Sequence, residues 1–209
     1  MTNALLGFLQ RNDNLMQLSF LPTTHDKPLI QGLTYIPEYI TQKAGSRLLD
    51  IIDGNSWNCE LKRRTQHYGY KYDYTARLID QSSYLGLLPD WLQELSRKLH
   101  QDKLFPEMPD QVIVNEYTQG QGIASHIDCV PCFGNTIASL SLNSLCLMDF
   151  KKDNKSASIL LEPRSLILLS GEARYNWQHG ITARKSDIYE GVKIQRQRRV
   201  SLTFRKVLL

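Results

Sequence analysis

The chain has 209 residues, 42% of them hydrophobic and 22% charged, and this length and balance favour one soluble globular domain with a buried core. No run of about 18 apolar residues occurs, which excludes a membrane-spanning helix, and four cysteines are too few for a disulfide-built scaffold in a chain of this length. The formal net charge of +4 at pH 7 is a mild bias that by itself identifies no partner. On charge alone, the basic clusters at residues 62–64 and 193–206 are interpreted as solvated faces.

The N-terminal residues lack a clear periodicity, and we interpret residues 1–30 as an extension to a domain formed by residues 31–209. The extension has a short apolar patch but neither the basic segment nor the small-residue cleavage site of a secretory signal. We therefore expect a cytoplasmic protein, or a nuclear one in a eukaryote, that is monomeric and does not enter a membrane.

Two helices are predicted in the first half of the chain. From Thr41 to Asp53 the apolar residues fall on one helical face, and Thr41 is a suitable N-cap. A second helix is predicted from Pro89 to about Lys103, because apolar residues recur at steps of three and four and proline suits the first turn.

After Pro109 the pattern changes to short β-type segments separated by turn residues. The predicted strands are Val112–Tyr117, Thr136–Leu142, Cys146–Phe150, Ser156–Leu161, Ser165–Leu169 and Val200–Val207. Helices followed by many short strands indicate an α+β fold, an antiparallel double sheet covered by N-terminal helices. A jelly roll is the simplest way to close such a set of strands.

Cys129 and Cys132 have the CxxC spacing of redox centres and of half a zinc site. No second CxxC or suitably spaced Cys/His pair completes a tetrahedral site, so we expect reduced thiols without a metal.

Three residues in this half of the chain are candidate metal ligands. His126 and Asp128 are two apart, and in extended backbone such residues point to the same side, so both can reach one ion. His179 follows 51 residues later. Two histidines and one carboxylate form the facial triad of non-haem iron(II) oxygenases, which leaves coordination positions open. An HxD pair alone is a weak signal, because it also occurs by chance.

Two arginines on the last strand suggest an anionic ligand. Arg199 and Arg205 are six residues apart, so they share one face of the strand, and Arg198 lies on the other. Arginine pairs with carboxylates through two hydrogen bonds, and a buried arginine without such a partner is costly. If this face points to solvent instead, the pair has no ligand, and strand parity alone leaves both alternatives open.

Several blocks of the sequence resemble the AlkB family of Fe(II)- and 2-oxoglutarate-dependent dioxygenases, in order and spacing. They are Asn115-Glu-Tyr117, His126-Ile-Asp128, Ser170-Gly-Glu-Ala-Arg174, Trp177-Gln-His179-Gly-Ile181 and Arg199-Val-Ser-Leu-Thr-Phe-Arg205. The resemblance covers the chain from about Ile30 to the C-terminus and implies a double-stranded β-helix, which is a jelly roll, with Fe(II), 2-oxoglutarate and O2 as cofactor and cosubstrates.

The resemblance also implies roles for residues around the metal. It assigns His126, Asp128 and His179 to iron, and 2-oxoglutarate binding to Asn115, Tyr117, Arg199 and Arg205, with Ser201 as a further contact. The reaction expected is oxidation of a C–H bond, driven by decarboxylation of 2-oxoglutarate to succinate.

The segment from Arg63 to Tyr74 resembles the family's nucleotide-recognition lid, and Tyr70 stands where the family places an aromatic substrate contact. Aromatic rings among cations suit a flipped base with phosphates alongside, so we expect Arg63 and Arg64, next to Lys62, to contact phosphates. The alternative is a half-buried strand rich in tyrosine.

One departure from the family concerns substrate choice. Repair-type members carry an acidic residue two positions beyond the metal-binding aspartate, where this chain has Val130. We therefore expect poor recognition of cationic lesions such as 1-methyladenine. The resemblance implies oxidative dealkylation of bases in DNA or RNA. Alternatives are hydroxylation of a modified nucleotide in transfer RNA and oxidation of a protein, and a non-catalytic binding module is disfavoured by the intact triad.

Overall fold

The computed structural model describes residues 30–73, 75–76 and 78–209. The extension predicted for residues 1–30 lies outside the described residues except for Ile30, which is buried. In chain order the strands are β1 (Leu33–Ile36), β2 (Arg64–Tyr68), β3 (Gln111–Tyr117), β4 (Ile123–His126), β5 (Phe133–Leu142), β6 (Cys146–Lys152), β7 (Lys155–Leu161), β8 (Leu166–Ser170), β9 (Gln178–Ile181), β10 (Ser186–Tyr189), β11 (Val192–Gln195) and β12 (Arg199–Val207).

Both predicted helices are confirmed. Helix α1 (Gln42–Asp53) begins after Thr41, whose hydroxyl accepts a hydrogen bond from the backbone N–H of Ala44 at 3.2 Å. Helix α2 (Asp90–Gln101) begins after Pro89, as expected. A third helix of five residues, α3 (Gly171–Tyr175), follows β8 and was not predicted. None of the helices in the described ranges has the length and apolar character needed to cross a bilayer.

The strands form two facing antiparallel sheets and a small hairpin. The larger sheet has the order β1-β8-β5-β12-β3-β2, the smaller sheet has the order β4-β9-β6-β7, and β10 pairs with β11. This arrangement confirms the predicted α+β fold, a jelly roll with N-terminal helices on the outer sheet.

Two apolar cores lie on opposite sides of the larger sheet. One core joins α1 and α2 to the outer face of this sheet, through residues such as Leu48, Leu95 and Leu202. The other lies between the two sheets and includes Ile137 from the larger sheet and Phe150 from the smaller one. The sheet is buried on both faces because each of its long strands contributes alternate residues to each core.

Strand β12 shows this alternation most clearly. Val200, Leu202 and Phe204 are fully buried against the helices. The residues between them, together with those at either end of this run, face the space between the sheets: Arg199, Ser201, Thr203 and Arg205. The predicted shared face of Arg199 and Arg205 is therefore confirmed, and it points inward.

Most of the basic residues near the C-terminus are not a solvated surface. Arg196 is buried and pairs with Asp187 at 2.7 Å, while Lys206 pairs with Asp110 at 2.7 Å. Arg198 bonds to Asp53 and Glu116 on the helix side of the sheet. The solvated interpretation was wrong for these residues because each of them pairs with a carboxylate, whereas Lys193 of the same cluster is exposed.

Candidate functional site

A cavity of about 570 Å³ lies between the two sheets. It is lined by residues from both sheets, and it contains every residue that the sequence assigned to the metal and to 2-oxoglutarate: Asn115, Tyr117, His126, Asp128, His179, Arg199, Ser201 and Arg205. A partly apolar cavity with a few convergent polar groups is the usual form of a ligand site.

The two histidines are brought together by strand pairing in the smaller sheet. His126 ends β4, and its register partner on β9 is His179. Their ring centroids are 4.6 Å apart. Gly180 allows this approach, because a Cβ there would lie 2.9 Å from the carbonyl oxygen of Ile123 and 2.9 Å from the backbone nitrogen of Ser125. A larger residue next to His179 would push β4 away.

Asp128 completes a three-sided arrangement with these rings. Its carboxylate oxygens lie 3.9 Å from Nε2 of His126 and 4.0 Å from Nε2 of His179. Two ligands bound to one metal ion at about 2.1 Å hold their donor atoms roughly 3 Å apart. In the structure the donor atoms of the three residues are farther apart than this. Among the described residues, no group of three or more His, Cys, Asp or Glu side chains has the spacing of a bound metal ion.

The orientation of His126 and the protonation state of His179 suit metal binding. Nδ1 of His126 lies 2.8 Å from the carbonyl oxygen of Ala124, a contact that orients the ring with Nε2 toward Asp128. Burial lowers the pKa of His179 to about 4, so this ring is neutral at pH 7. A neutral imidazole is the form that coordinates a metal ion.

Asp128 is held by a cation of the opposite sheet. Arg205 Nη2 donates to the Asp128 carboxylate at 2.9 Å, and Nη1 donates to Gln111 at 3.2 Å. Burial alone would raise the pKa of Asp128, but Arg205, aided by the nearby histidines, lowers it well below its usual value. The carboxylate is therefore ionised, as a metal ligand must be.

Arg199 lies in the same cavity without a carboxylate partner among the described residues. It is 2% exposed, and its Nη2 donates to the Ser141 hydroxyl at 2.8 Å, while its Nε–H has no acceptor there. The guanidinium carbon lies 5.6 Å from the centre of the Tyr117 ring. Because a buried cation without a counter-charge is costly, this position fits an anionic ligand such as a carboxylate of 2-oxoglutarate.

The remaining residues predicted to bind 2-oxoglutarate surround Arg199. Tyr117 on β3 is its register partner, and Asn115 is the partner of Ser201. Ser141 on β5, the partner of Ser201 on the other side, was not predicted as a contact. Its signal was present, since Ser139 and Ser141 alternate with apolar residues in this strand and therefore share one face of it.

The three predicted substrate contacts are placed differently from one another. Arg63 lines the cavity beside the exposed Lys62, and its Nε donates to Asn115 at 3.0 Å. Arg64 lies on the other face of β2, where it makes two hydrogen bonds to Glu116 of 2.6 and 2.7 Å. Arg64 is therefore not brought into the cavity.

Tyr70 is also outside the cavity. It forms a β-bridge with Tyr84, and the two rings pack at 5.1 Å. Tyr72 lines the cavity instead and packs against Phe133 at 5.8 Å. The segment Arg64–Tyr68 forms β2, so the alternative of a half-buried strand holds for that part of the predicted lid.

The expectation of reduced thiols at Cys129 and Cys132 was wrong. The two residues form a disulfide, because the turn after Asp128 brings their Cα atoms to 5.3 Å. Val130, between them, is 47% exposed and does not line the cavity.

Comparisons with known proteins agree with this site. The model of the 2OG-Fe(II) oxygenase superfamily matches residues 20–205. The "Alkylated DNA repair protein ALKBH8 homolog" of Arabidopsis thaliana is 36% identical over 206 residues, which cover 85% of this chain and 59% of that protein. The "tRNA (carboxymethyluridine(34)-5-O)-methyltransferase alkbh8" of Xenopus tropicalis is 37% identical over 198 residues, which cover 84% of this chain and 32% of that protein.

A solved structure shares the fold. OsALKBH1 superposes with a TM-score of 0.62 at 16% sequence identity, covering 86% of this chain and 99% of that chain. The chain thus spans about three fifths of the plant relative and a third of the frog relative. The chain belongs to the 2OG-Fe(II) oxygenase superfamily and, within it, to the AlkB family near the ALKBH8 homologues, as a dioxygenase that depends on Fe(II), 2-oxoglutarate and O2.

Proposed function

We propose that this dioxygenase oxidises a modified base in DNA or RNA and removes its alkyl group. The observation that carries the proposal is the cavity itself, which is lined by His126, Asp128 and His179, by two further cations and a tyrosine, and by the buried Arg199, for which the described residues supply no carboxylate. The relative named as an alkylated DNA repair protein supports the same substrate class.

Different residues of the cavity would hold the metal and the cosubstrate. His126, Asp128 and His179 would hold Fe(II), and Arg199, with Tyr117 and Ser141, would bind a carboxylate of 2-oxoglutarate. When bound, Fe(II) and 2-oxoglutarate supply the oxidising power for a C–H bond from O2, with release of succinate and CO2. The two facing sheets shield the reacting groups from bulk water.

Part of the cavity lining suits a nucleotide. Tyr72 offers a ring for stacking, and Lys62 and Arg63, which also line the cavity, offer charges for phosphates. Base stacking on an aromatic ring and phosphate contacts by cations are the two sequence-independent modes by which proteins bind single-stranded nucleic acid.

The charges of the cavity favour a neutral or anionic modified base over a cationic one. Asp128 is the only acidic side chain that lines the cavity in the described ranges, and Arg205 already pairs with it. Val130 supplies no charge and is about half exposed, so the lining residues that the structure describes offer no free carboxylate to a cationic base such as 1-methyladenine.

A second candidate function is hydroxylation of a modified nucleotide in transfer RNA. It is favoured by the relatives named as tRNA methyltransferases, which match at 35–37% identity over most of this chain. This chain spans 30–32% of those proteins, so their named activity is not transferred to it.

Mass spectrometry separates the two candidates. The purified protein is incubated with Fe(II), with or without 2-oxoglutarate, and with methylated and etheno-modified DNA and RNA oligonucleotides and transfer RNA. Dealkylation is read as loss of the alkyl group, and hydroxylation as gain of one oxygen atom that remains on the nucleotide. If 2-oxoglutarate is consumed while every nucleic acid stays unchanged, both candidates fail and oxidation of a protein becomes the better proposal.

A further inference from the structure

Arg174 is a buried cation whose bonding partners all lie in one short segment. It lies on α3, is 2% exposed, and donates to the carbonyl oxygens of Asp128 at 3.0 Å and Cys129 at 3.1 Å. It also donates to the carbonyl oxygens of Phe133 at 3.2 Å and Gly134 at 3.2 Å. All four acceptors belong to the segment from Asp128 into the start of β5, which follows β4.

The four acceptors of this buried guanidinium are neutral carbonyl oxygens and not carboxylates. Burial lowers the pKa of Arg174, so the fold works against its charge, and the nearby Asp128 only partly offsets this effect. The planar fork of a guanidinium reaches several carbonyl oxygens at fixed angles, which neither lysine nor an apolar residue can do. We attribute the burial of this arginine, despite its cost, to the hydrogen bonds by which it holds residues 128–134 in place.

We propose that Arg174 is a positioning residue, which fixes the segment 128–134 so that the Asp128 carboxylate faces the two histidines. Asp128 is then held at both ends. Its backbone carbonyl accepts from Arg174, and its carboxylate accepts from Arg205. The Cys129–Cys132 disulfide tightens the same segment from within.

The position of α3 in the chain supports this role. The helix lies between β8 and β9, so Arg174 is five residues before His179. One short stretch of chain therefore carries one proposed metal ligand and the brace for another. A displacement of α3 would move His179 and release the Asp128 segment together.

The proposal rests on the assignment of Asp128 as a metal ligand, and the experiment separates the two. Co(II) binding is titrated by its visible absorption in the full-length protein, for the wild type, Arg174→Gln, Arg174→Lys and Asp128→Asn. Outer residues that orient a metal ligand typically change metal affinity by about 10- to 100-fold when replaced. We expect a loss in this range for Arg174→Gln, a smaller loss for Arg174→Lys, and no measurable binding for Asp128→Asn.

A control variant accounts for general loss of stability. Leu95→Ala removes a buried side chain from the helix-side core, far from the cavity, and should lower the melting temperature with Co(II) affinity unchanged. Amide hydrogen exchange gives a second readout, in which Arg174→Lys should lose protection in residues 128–134 and keep it in α2.

Four results would overturn the proposal. One is Co(II) affinity within twofold of the wild type in Arg174→Gln while Asp128→Asn binds none. Another is an equal loss of affinity in Leu95→Ala, or failure of both Arg174 variants to fold, since Arg174 would then be a core residue and nothing more. If Asp128→Asn binds Co(II) like the wild type, the ligand assignment falls together with the proposal.

Discussion

Arg205 and Asp128 form a buried ion pair of 2.9 Å that joins the two sheets across the cavity. The arginine comes from β12 in the larger sheet, and the aspartate follows β4 in the smaller one. From the sequence, Arg205 was expected to bind 2-oxoglutarate and Asp128 to bind the metal, with no contact between the two residues. Their contact means that a change in either residue acts on both binding sites.

Removing any member of the triad should abolish turnover of 2-oxoglutarate. We expect no succinate from His126→Ala, Asp128→Ala or His179→Ala, because an open metal site with three protein ligands does not retain its ion with two. Asp128→Ala should also be less stable than the other two, since it leaves Arg205 buried without a counter-charge. Succinate formation at the wild-type rate in any of them would show that the residue is not a ligand.

Arg199→Lys and Arg205→Lys should have different effects although both keep the charge. We expect Arg199→Lys to raise the KM for 2-oxoglutarate by roughly tenfold or more with metal affinity unchanged, because lysine lacks the two-pronged geometry. Arg205→Lys should weaken both 2-oxoglutarate and Co(II), through its contact with Asp128. Parallel titrations of the two ligands distinguish these patterns.

Arg198→Ala is the matched control for the arginine variants. Arg198 is next to Arg199 but bonds to Asp53 and Glu116 on the helix side. Its removal should reduce the free energy of unfolding by up to about 1 kcal/mol, as for partly exposed pairs, with the KM for 2-oxoglutarate unchanged. An increased KM in this variant would contradict the inward orientation of Arg199.

Acid should destabilise the protein through His67. Burial, with the positive charge of Lys71, lowers the pKa of His67 from 6.5 to about 4. The unfolded chain takes up this proton near pH 6.5 and the folded chain only near pH 4. The stability contributed by neutral His67 is therefore present above pH 6.5 and is lost as the pH falls to 4, by up to about 3 kcal/mol. Urea unfolding at pH 7, 5.5 and 4.5 should show a shallower pH dependence in His67→Gln than in the wild type.

Tyr72 should matter more than Tyr70 for the nucleic-acid substrate. Tyr72 lines the cavity, whereas Tyr70 packs on Tyr84 outside it. Stacking of a base contributes about 1–3 kcal/mol, so Tyr72→Ala should reduce kcat/KM for the modified oligonucleotide by roughly 5- to 150-fold. Uncoupled consumption of 2-oxoglutarate should be retained. A larger loss of kcat/KM in Tyr70→Ala than in Tyr72→Ala would support Tyr70 as the substrate contact that the resemblance implied.

Lys62 and Arg63 should control the salt dependence of nucleic-acid binding. Replacing either cation by alanine should flatten the slope of log K against log salt by about 0.7–0.9, uniformly across sequences, because one fewer phosphate is neutralised. Arg64→Ala should leave the slope unchanged and destabilise the fold instead, since Arg64 pairs with Glu116. Equal slopes in Lys62→Ala, Arg63→Ala and the wild type would remove these residues from the interface.

The sequence predicts the long strands well and the short ones poorly. Strands β5 and β12 have seven or more residues with visible alternation, and both were found close to their predicted bounds. Strands β4 and β9 have four residues each, too few for a pattern, and they exist because they pair with each other. The histidines were found only because the HxD spacing and the family blocks mark them.

Substrate contacts were predicted less well than metal ligands for a local geometric reason. Arg63 and Arg64 are adjacent, so the choice between them depends on the parity of β2, which its pairing with β3 decides. Tyr70 and Tyr72 have the same parity, so the choice between them depends on the contacts that the chain makes after Gly69, where Tyr70 pairs with Tyr84 and Tyr72 packs on Phe133. Neither effect can be read from residue types alone.

The alternation of helix-side and cavity-side residues along β12 determines which substitutions this enzyme tolerates. Residues 200, 202 and 204 hold the sheet to its helices, whereas Ser201 and Thr203 face the cavity and bear none of that packing. Of the two, Thr203 has no assigned role in binding 2-oxoglutarate, so a variant library at Thr203 samples new cavity shapes at little risk to folding. Selectivity for a different substituent on the base can change there by single steps, each of which leaves a protein that still folds.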